Sequence, residues 1–453
     1  MKPVRAILFF LLLSLLFFGL GYLISCSSNS GGGDDDAVDD DASDDDWQPV
    51  EPHREDRGNF IIAWLAGTPY EMGIQQGQLL HEELRAAVDW LDSMHLIELL
   101  TFIAKTTGIY DLAYNNSYPD IVEECRGIVD ASSDVGMTMD ICILLNFGDV
   151  LVEFLSDGMP PAKLTQPACS QAVAAYDATK DGRLYHARSL DWSQIDYLIK
   201  YPVIFVRQPV DGIPHAYIGF PCNLSPYNGM NASGLSIASD EADPIDSSED
   251  SRTGHSHVQM IAQILKTAHN LQEARQFIES ESHMSTEIFM VADGPNRKAA
   301  VFEMTAKHLG VRELAGNGVV YATNHFVAPE TKDFDKDPAS DSTLLRFDRL
   351  RQLLEPDGID TYYGQIDPSV MVKLLRDRIN PWTGQESPPD EFDNDQSIAT
   401  NGAIYQIVFD PEKLLFWVAA GAIPVPQQPF VCFSLGELLQ LPNAQKCEPE
   451  VFE

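Results

Sequence analysis

Positive charge is scarce in this chain: 30 Lys and Arg stand against 68 Asp and Glu among 453 residues, a formal net charge of −38 at pH 7. A balance this acidic argues against nucleic acid as a partner and against electrostatic adhesion to anionic lipid. Cysteine is sparse too, with seven residues at positions 26, 125, 142, 169, 222, 432 and 447. No two of them form a CxxC, and the paired spacing of a zinc site is missing. There is no internal repeat. The remainder is ordinary: 44% hydrophobic residues and 28 prolines fit a globular protein, neither disordered nor fibrous. The length exceeds what a typical single core supports, which predicts one large domain or two intimately packed pieces.

The first 25 residues read as an export signal. Lys2 and Arg5 form a positive start, Ala6 to Phe18 is apolar except for Ser14, and the stretch ends in Leu23-Ile24-Ser25-Cys26. A small residue followed by Cys at that point resembles a bacterial lipobox, in which Cys26 is lipidated and becomes the mature N-terminus. The alternative is a plain signal-anchor helix with Cys26 incidental. Ser27, rather than Asp, favours the outer membrane of a diderm bacterium. Residues 27–46 run SSNSGGG and then acidic triplets, with Ala37, Val38 and Ala42 as their apolar residues. That is too little to offset ordering entropy, so 26–54 should be a lipidated Cys and an acidic tether, with the body facing water. Export permits disulfides. Cys432 with Cys447 and Cys125 with Cys142 are candidate pairs, but the sequence leaves the connectivity open.

Phe60 to Leu65 is a short apolar run that predicts a strand. Thr68-Pro69-Tyr70-Glu71 then opens a helix, with Thr68 as N-cap, Pro69 at the first helical position and Glu71 closing a capping box. Helical periodicity continues intermittently to Ile103 and resumes from Tyr118 to Val129, so the part before Cys169 should be mostly helical. After Cys169 the period becomes two. Strands are expected at 171–176 and 184–189, joined by a turn at 177–182, and at 202–207, 215–219, 234–239, 286–292, 299–304, 309–313, 318–323, 403–409 and 414–419. Helices fit 257–268, 271–279, 341–354 and 368–378, and 380–396 reads as a surface loop. Many strands flanked by long helices predict an α+β fold of sheets with helical outer layers.

The chemistry sits in residues 168–192, ACSQAVAAYDATKDGRLYHARSLDW. A single Cys is commonly a buried apolar residue. Here Arg188 and Asp191 lie where an antiparallel hairpin would return them beside Cys169. A guanidinium favours thiolate over thiol, and a carboxylate can hold an α-ammonium group. This stretch resembles the Ntn hydrolases, and among them the acyl-coenzyme A:6-aminopenicillanic-acid acyltransferase-like family, with penicillin V acylases and bile salt hydrolases as cousins. GTPYEMGIQQGQLL (67–80), NGMNASGL (228–235), YATNHFVAPE (321–330), STLLRFDRLRQLL (342–354) and AIYQIVFDPEKLLFWVAAG (403–421) carry the resemblance onward in order.

The resemblance implies an αββα four-layer sandwich and self-cleavage between Ala168 and Cys169. Residues 55–168 would be a helical pro-part and 169–453 the catalytic part, two subunits held together non-covalently. Cys169 would attack a linear amide of a small N-acyl substrate and form an acyl-thioester, with hydrolysis or acyl transfer to follow. Its freed α-amine would be the general base, Asp191 would orient that amine, and Arg188 would bias the thiol toward thiolate. Asn324 aligns with an oxyanion-hole asparagine, and Arg346 with a second active-site arginine. The competing reading of Arg346 is an exposed helix arginine beside Arg349 and Arg351, on a solvated face. No metal or organic cofactor is needed.

Two departures stand out. Cousins often carry an asparagine where this chain reads Ser239-Asp240-Glu241, so backbone N–H groups would serve there, or Asp240 or Glu241 reads an amine-bearing substrate. Ala168 stands where Gly is usual. His325 is a candidate pocket residue, His255 and His257 fit a helix start better than a metal site, Asn228 and Asn231 read as turn formers, and Trp192 reads as core packing or a pocket wall. The rival functions are a catalytically silent surface binding protein of the same fold and a papain-like cysteine peptidase. The latter needs a histidine base, for which no recognisable motif follows Cys169.

Overall fold

The structure is a computed structural model, and it describes residues 48–93, 102, 106–148, 168–192, 196–336, 339–388 and 396–453. The export signal, Cys26 and the acidic tether up to Asp46 lie outside the described residues.

Among the described residues the strands form two sheets. The first runs β1 (His53–Arg57), β2 (Phe60–Gly67), β5 (Val203–Pro209), β6 (His215–Gly219), β7 (Asn228–Asn231), β8 (Leu235–Glu241), β9 (Glu287–Asp293), β10 (Lys298–Met304) and β11 (Leu309–Glu313). The second runs β12 (Val319–Ala322), β3 (Ser170–Tyr176), β4 (Gly182–Asp191), β13 (Ala403–Asp410), β14 (Leu415–Ala420), β15 (Phe430–Ser434) and β16 (Val451–Phe452). Neighbours pair antiparallel except β2 and β5, which are parallel. The helices are α1 (Pro69–Leu79), α2 (His81–Ser93), α3 (Ile109–Asn115), α4 (Pro119–Ser132), α5 (Met139–Phe147), α6 (Asp196–Lys200), α7 (His257–Thr267), α8 (Leu271–Ser280), α9 (Asp341–Leu354), α10 (Pro368–Leu375) and α11 (Leu435–Leu438).

Period-two alternation sorts the side chains into layers. In β3, Ala172 and Ala174 face outward and pack with Leu350 and Leu353 of α9 and Met371 and Leu374 of α10. Val173 and Ala175, one residue out of step, face inward and meet Ile288, Met290 and Ala292 of β9. The odd residues of β9, Phe289 and Val291, point away from that interface onto Ile261 and Ile264 of α7 and Ala274 and Ile278 of α8. Helix, sheet, sheet and helix therefore stack in order: the αββα sandwich of the Ntn hydrolases.

The capping box at α1 forms as its residues predict: Glu71 Oε2 accepts from Thr68 N at 2.8 Å, and Thr68 Oγ1 accepts from Glu71 N at 3.4 Å. Helices α1 and α4 touch backbone to backbone, because a Cβ at Gly73 would stand 2.1 Å from the Glu124 carbonyl oxygen and one at Gly127 2.2 Å from that of Tyr70.

The described part before Cys169 is mostly helical and carries the expected strand β2, which sits inside the first sheet against β5; β1 is a further strand at the edge of that sheet. Two expectations need correction. Asn228 and Asn231 lie in a buried strand. Asn231 does build the turn that follows, its Oδ1 accepting from Ser233 N and Leu235 N, while Asn228 Nδ2 donates to Tyr405 Oη at 2.7 Å. Helix α9 is not a solvated face, since Arg346 and Arg349 are both buried.

The early segment is joined to the rest by polar anchors as well as by the sheet. Arg207 Nη2 of β5 pairs with Glu124 Oε2 of α4 at 2.6 Å, Trp64 Nε1 donates to Leu438 O at 2.7 Å, and Asn146 Nδ2 donates to Cys222 O at 2.9 Å. Cys125 bonds Cys142 and Cys432 bonds Cys447. Among the described residues Cys169 and Cys222 remain free, and both are buried.

Candidate active site

The β3–β4 hairpin sets the site. Its register places Ser170 opposite Ser189 and Gln171 opposite Arg188, which brings the end of β4 back beside Cys169. Alternation then divides the hairpin between two faces. Arg188 points into the space between the sheets and reaches the first sheet, donating to Ser239 O through Nε at 3.2 Å and Nη2 at 2.5 Å. The same Nη2 is 3.8 Å from Cys169 Sγ, and Nη1 donates to Tyr405 Oη at 3.4 Å. Asp191, three residues on, points to the opposite face. There its carboxylate accepts from Ser189 Oγ at 2.7 Å and from Thr400 Oγ1. The face is identified by Gln406, whose Nε2 donates both to Ser189 Oγ at 3.3 Å and to Leu375 O of α10 at 2.9 Å.

Arg346 of α9 closes the helical side. Its Nη1 donates to the Cys169 carbonyl oxygen and, at 3.1 Å, to Ser170 Oγ, while Nη2 donates to Asn324 Oδ1 at 2.9 Å. Asn324 Nδ2 in turn donates to Glu241 O at 2.8 Å. One N–H of that amide is thus committed to backbone, leaving its second N–H for another acceptor. Asn324 and Glu241 line a small cleft with Asp243, Asp335, Lys336 and Ser340. Cys169, at 2% exposure, lies beneath the protein surface and outside that lining.

The electrostatics modify one expectation. Burial pushes the Cys169 thiol well up; Arg188 pulls it down, and Asp240 and Asp191 push it further up. The expected bias toward thiolate is present but outweighed, because desolvation of a fully buried sulfur exceeds the attraction of one guanidinium already shared with Ser239 and Tyr405. Burial also raises Asp191, against its bonds to Thr400 and Ser189. Asp240, 1% exposed, is lifted by burial to about 7 against the pull of Arg188.

Most of the sequence candidates converge here. Ala168, Cys169, Arg188, Asp191 and Asp240 are buried together at the hairpin, and Arg346 and Asn324 join them from α9 and the end of β12. His325 does not line the cleft. Its Nδ1 lies 2.8 Å from Thr343 Oγ1 and 3.2 Å from Thr323 Oγ1, its ring meets Phe347, and burial lowers its pKa to about 4, leaving it neutral near pH 7. His257 starts α7, as expected, and pairs with Glu287 at 2.9 Å; His255 stacks on Tyr118. Trp192 packs on Tyr227. Sequence reasoning missed Gln171, Thr400 and Tyr405. The parity of the hairpin could have pointed to Gln171, whereas Thr400 and Tyr405 come from a distant segment with no local signal.

The sequence model of the acyl-coenzyme A:6-aminopenicillanic acid acyl-transferase family matches residues 178–422, just over half of the chain. The match begins in the turn after β3, beyond Cys169, and takes in Arg188, Asp191, Asp240, Asn324 and Arg346. An uncharacterized protein of Archaeoglobus fulgidus is 25% identical over 363 residues, 72% of this chain but 59% of its own length, so this chain spans less than two thirds of that relative. Solved structures with a similar shape include a Caenorhabditis elegans ortholog of N-acylethanolamine-hydrolyzing acid amidase (16% identity, 58% of this chain and 99% of that one, TM-score 0.36). A variant of conjugated bile acid hydrolase from Clostridium perfringens (14%, 55% and 89%, 0.35) and penicillin V acylase from Agrobacterium tumefaciens (14%, 56% and 84%, 0.35) are others. These shape likenesses are too distant to assign a role to any residue. The family match spans the second half of the hairpin and the strands and helices that converge on Cys169, and the chain belongs to the acyl-coenzyme A:6-aminopenicillanic acid acyl-transferase family.

Proposed function

We propose that this chain is a self-processing amidohydrolase or acyltransferase that acts on linear amides through a thioester at Cys169. The observation that carries this reading is the clamp on Cys169, with Arg188 at its thiol and Arg346 on its carbonyl oxygen. In the first reaction Sγ attacks the carbonyl carbon of Ala168. The Ala168–Cys169 C–N bond breaks as a C–S bond forms, and the thiol proton ends on the Cys169 nitrogen. Water then hydrolyses the thioester, giving a carboxylate on Ala168 and a free Cys169.

Burial keeps the thiol of the intact chain protonated, and cleavage supplies the base it needs: an α-amine, with an ordinary pKa of about 8. That amine takes the thiol proton as Sγ attacks the substrate amide and returns it to the leaving amine. The acyl group then passes to water or to another acceptor. Asn324 offers its second N–H to the oxygen of the tetrahedral intermediate, a contribution of about 10²–10³ in rate where such donors have been removed. Glu241 and Asn324 place the substrate in the adjacent cleft. Residues up to 168 stay in place after the cut because β2 remains paired to β5, and neither disulfide crosses the cut. On the sequence of residues 1–46 we place the protein in the bacterial cell envelope, anchored by lipid on Cys26.

The test is intact mass and N-terminal sequencing of protein made without its export signal, beside Cys169→Ala. The wild type should yield a fragment beginning at Cys169 and two bands on a gel even without reductant; the variant should remain one chain. A single chain in both would overturn self-processing and favour a binding protein of the same fold.

A further inference from the structure

We propose that Cys222, Cys142 and Cys125 form a disulfide-exchange site, at which the Cys222 thiol takes over the bond that Cys142 makes to Cys125. Among the described residues Cys169 and Cys222 are the free cysteines, and the activity proposed above uses only Cys169. The Cys222 thiol donates to Cys142 Sγ at 3.8 Å, which puts a free sulfur in contact with one half of a disulfide. Holding reactants in contact removes the cost of an encounter. The backbone imposes that contact. Cys222 has a φ of +68° in the turn between β6 and β7, a left-handed conformation that residues other than Gly, Asn and Asp seldom adopt. Asn146 of α5 fastens the turn: its Oδ1 accepts from Leu224 N at 2.7 Å and its Nδ2 donates to Cys222 O at 2.9 Å. The same Nδ2 lies 3.7 Å from Cys142 Sγ and 4.0 Å from Cys222 Sγ, so one amide faces both sulfurs.

The step is an isomerisation and needs no oxidant. Cys222 gives its proton to water, and its sulfur attacks Cys142 Sγ. A Cys142–Cys222 bond forms as the Cys125–Cys142 bond breaks, and the electron pair leaves on the Cys125 sulfur, which takes up a proton. Burial sets the pace. It pushes the Cys222 thiol up to about 12, with the Asn146 amide drawing it down and Glu124 of α4 raising it. Tyr197 of α6 and Tyr217 of β6 also face it, both pushed up by burial and neutral near pH 7, while Arg207 of β5 is paired with Glu124. The thiolate is the nucleophile, so exchange is slow near pH 7 and should quicken about tenfold per pH unit as the pH rises. Cys125 and Cys142 precede Ala168, and Cys222 follows it. Exchange therefore turns a bond within one part into a bond between the two. On the self-cleavage reading above, it would tie the two fragments covalently.

The test uses Cys169→Ala protein, which should stay uncut and lacks the second buried thiol. Samples held between pH 6 and 9.5 are denatured in weak acid with N-ethylmaleimide and mapped by peptide mass. At pH 6 the label should sit on Cys222. With rising pH it should pass to Cys125, together with a Cys142–Cys222 peptide, at an initial rate that grows about tenfold per pH unit while Cys432–Cys447 stays intact. Label that remains on Cys222 at every pH, or a Cys125–Cys222 bond in its place, would overturn the proposal. So would loss of Cys432–Cys447 at the same rate, which marks general unfolding. In the cleaved wild type the same treatment should join the fragments into one band on a gel run without reductant, and Cys222→Ser should prevent it. Exchange in the Cys169→Ala chain beside a wild type that is never cut would keep this proposal and refute self-cleavage.

Discussion

Arg207→Met isolates the cost of a buried charge at the seam between the two parts. In the native protein Arg207 Nη2 is 2.6 Å from Glu124 Oε2, with the side chains 7% and 2% exposed. Burial raises the Glu124 carboxyl and Arg207 pulls it back. Methionine fills much of the arginine stem but leaves the carboxylate without its partner, a change that costs about 3–5 kcal/mol in comparable buried pairs. The carboxyl can escape by binding a proton, which caps the loss. From its ordinary pKa of 4.5, protonation at pH 7 costs about 3.4 kcal/mol, and at pH 5 about 0.7 kcal/mol. The sign follows: in the variant the folded pKa of Glu124 lies above its unfolded value, so the folded state binds more protons and stability falls as pH rises above the unfolded pKa.

Glu124 is raised in the native protein too, so urea unfolding in a Cys169→Ala background, where the chain should stay in one piece, should show a deficit that grows with pH above the native pKa of Glu124, by at most about 1.4 kcal/mol per pH unit. Adding Glu124→Gln should remove the slope. A deficit that is flat with pH, or unchanged by the second substitution, would refute the account and assign the loss to packing.

Arg346→Ala removes the donors to the Cys169 carbonyl and to Asn324, and should slow formation of the Cys169 fragment by about 10²-fold, with Arg346→Lys only a partial rescue because a single ammonium cannot span both acceptors. Replacing Cys432 and Cys447 together by Ser opens a loop of sequence separation 15 and should lower unfolding stability by about 3 kcal/mol in a denaturant titration, with self-cleavage unaffected.

Much of this architecture was readable before the coordinates, because the strands around the sandwich carry clear alternation and α1 carries a complete cap. What escaped did so for physical reasons. The sequence of β1, His-Arg-Glu-Asp-Arg, is an exposed edge with no apolar face to alternate. The sequence of β7, Asn-Gly-Met-Asn, uses residues poor in strand propensity and is held by side-chain bonds to Tyr405 and to the end of α7. Arg346 and Arg349 were ambiguous because charge on a helix usually marks solvent; here Asn324 and the Cys169 carbonyl claim one, and Asp377 and Asp360 the other. Arg188 and Asp191 were rightly brought to the same hairpin end, but their spacing of three places them on opposite faces of a strand, a distinction available from the sequence itself. The separate positions of Asp240 and Glu241, one at the thiol and one at the cleft, rest on the same parity.

The parallel pairing of β2 with β5 has a consequence for the life history of the molecule. A parallel pair cannot be joined by a tight turn, so between β2 and β5 the described residues of the chain pass through α1 to α6 and the β3–β4 hairpin before β5 is laid alongside β2. The proposed scission after Ala168 would cut that excursion midway. The protein would then be assembled once, as a single polymer, and lost as two. Unfolding would release both fragments, and recovery would need them to find each other in solution, with a rate set by their concentration. Survival in the mature form would be governed by how slowly the seam opens, and the free energy that formed it would no longer be available to restore it.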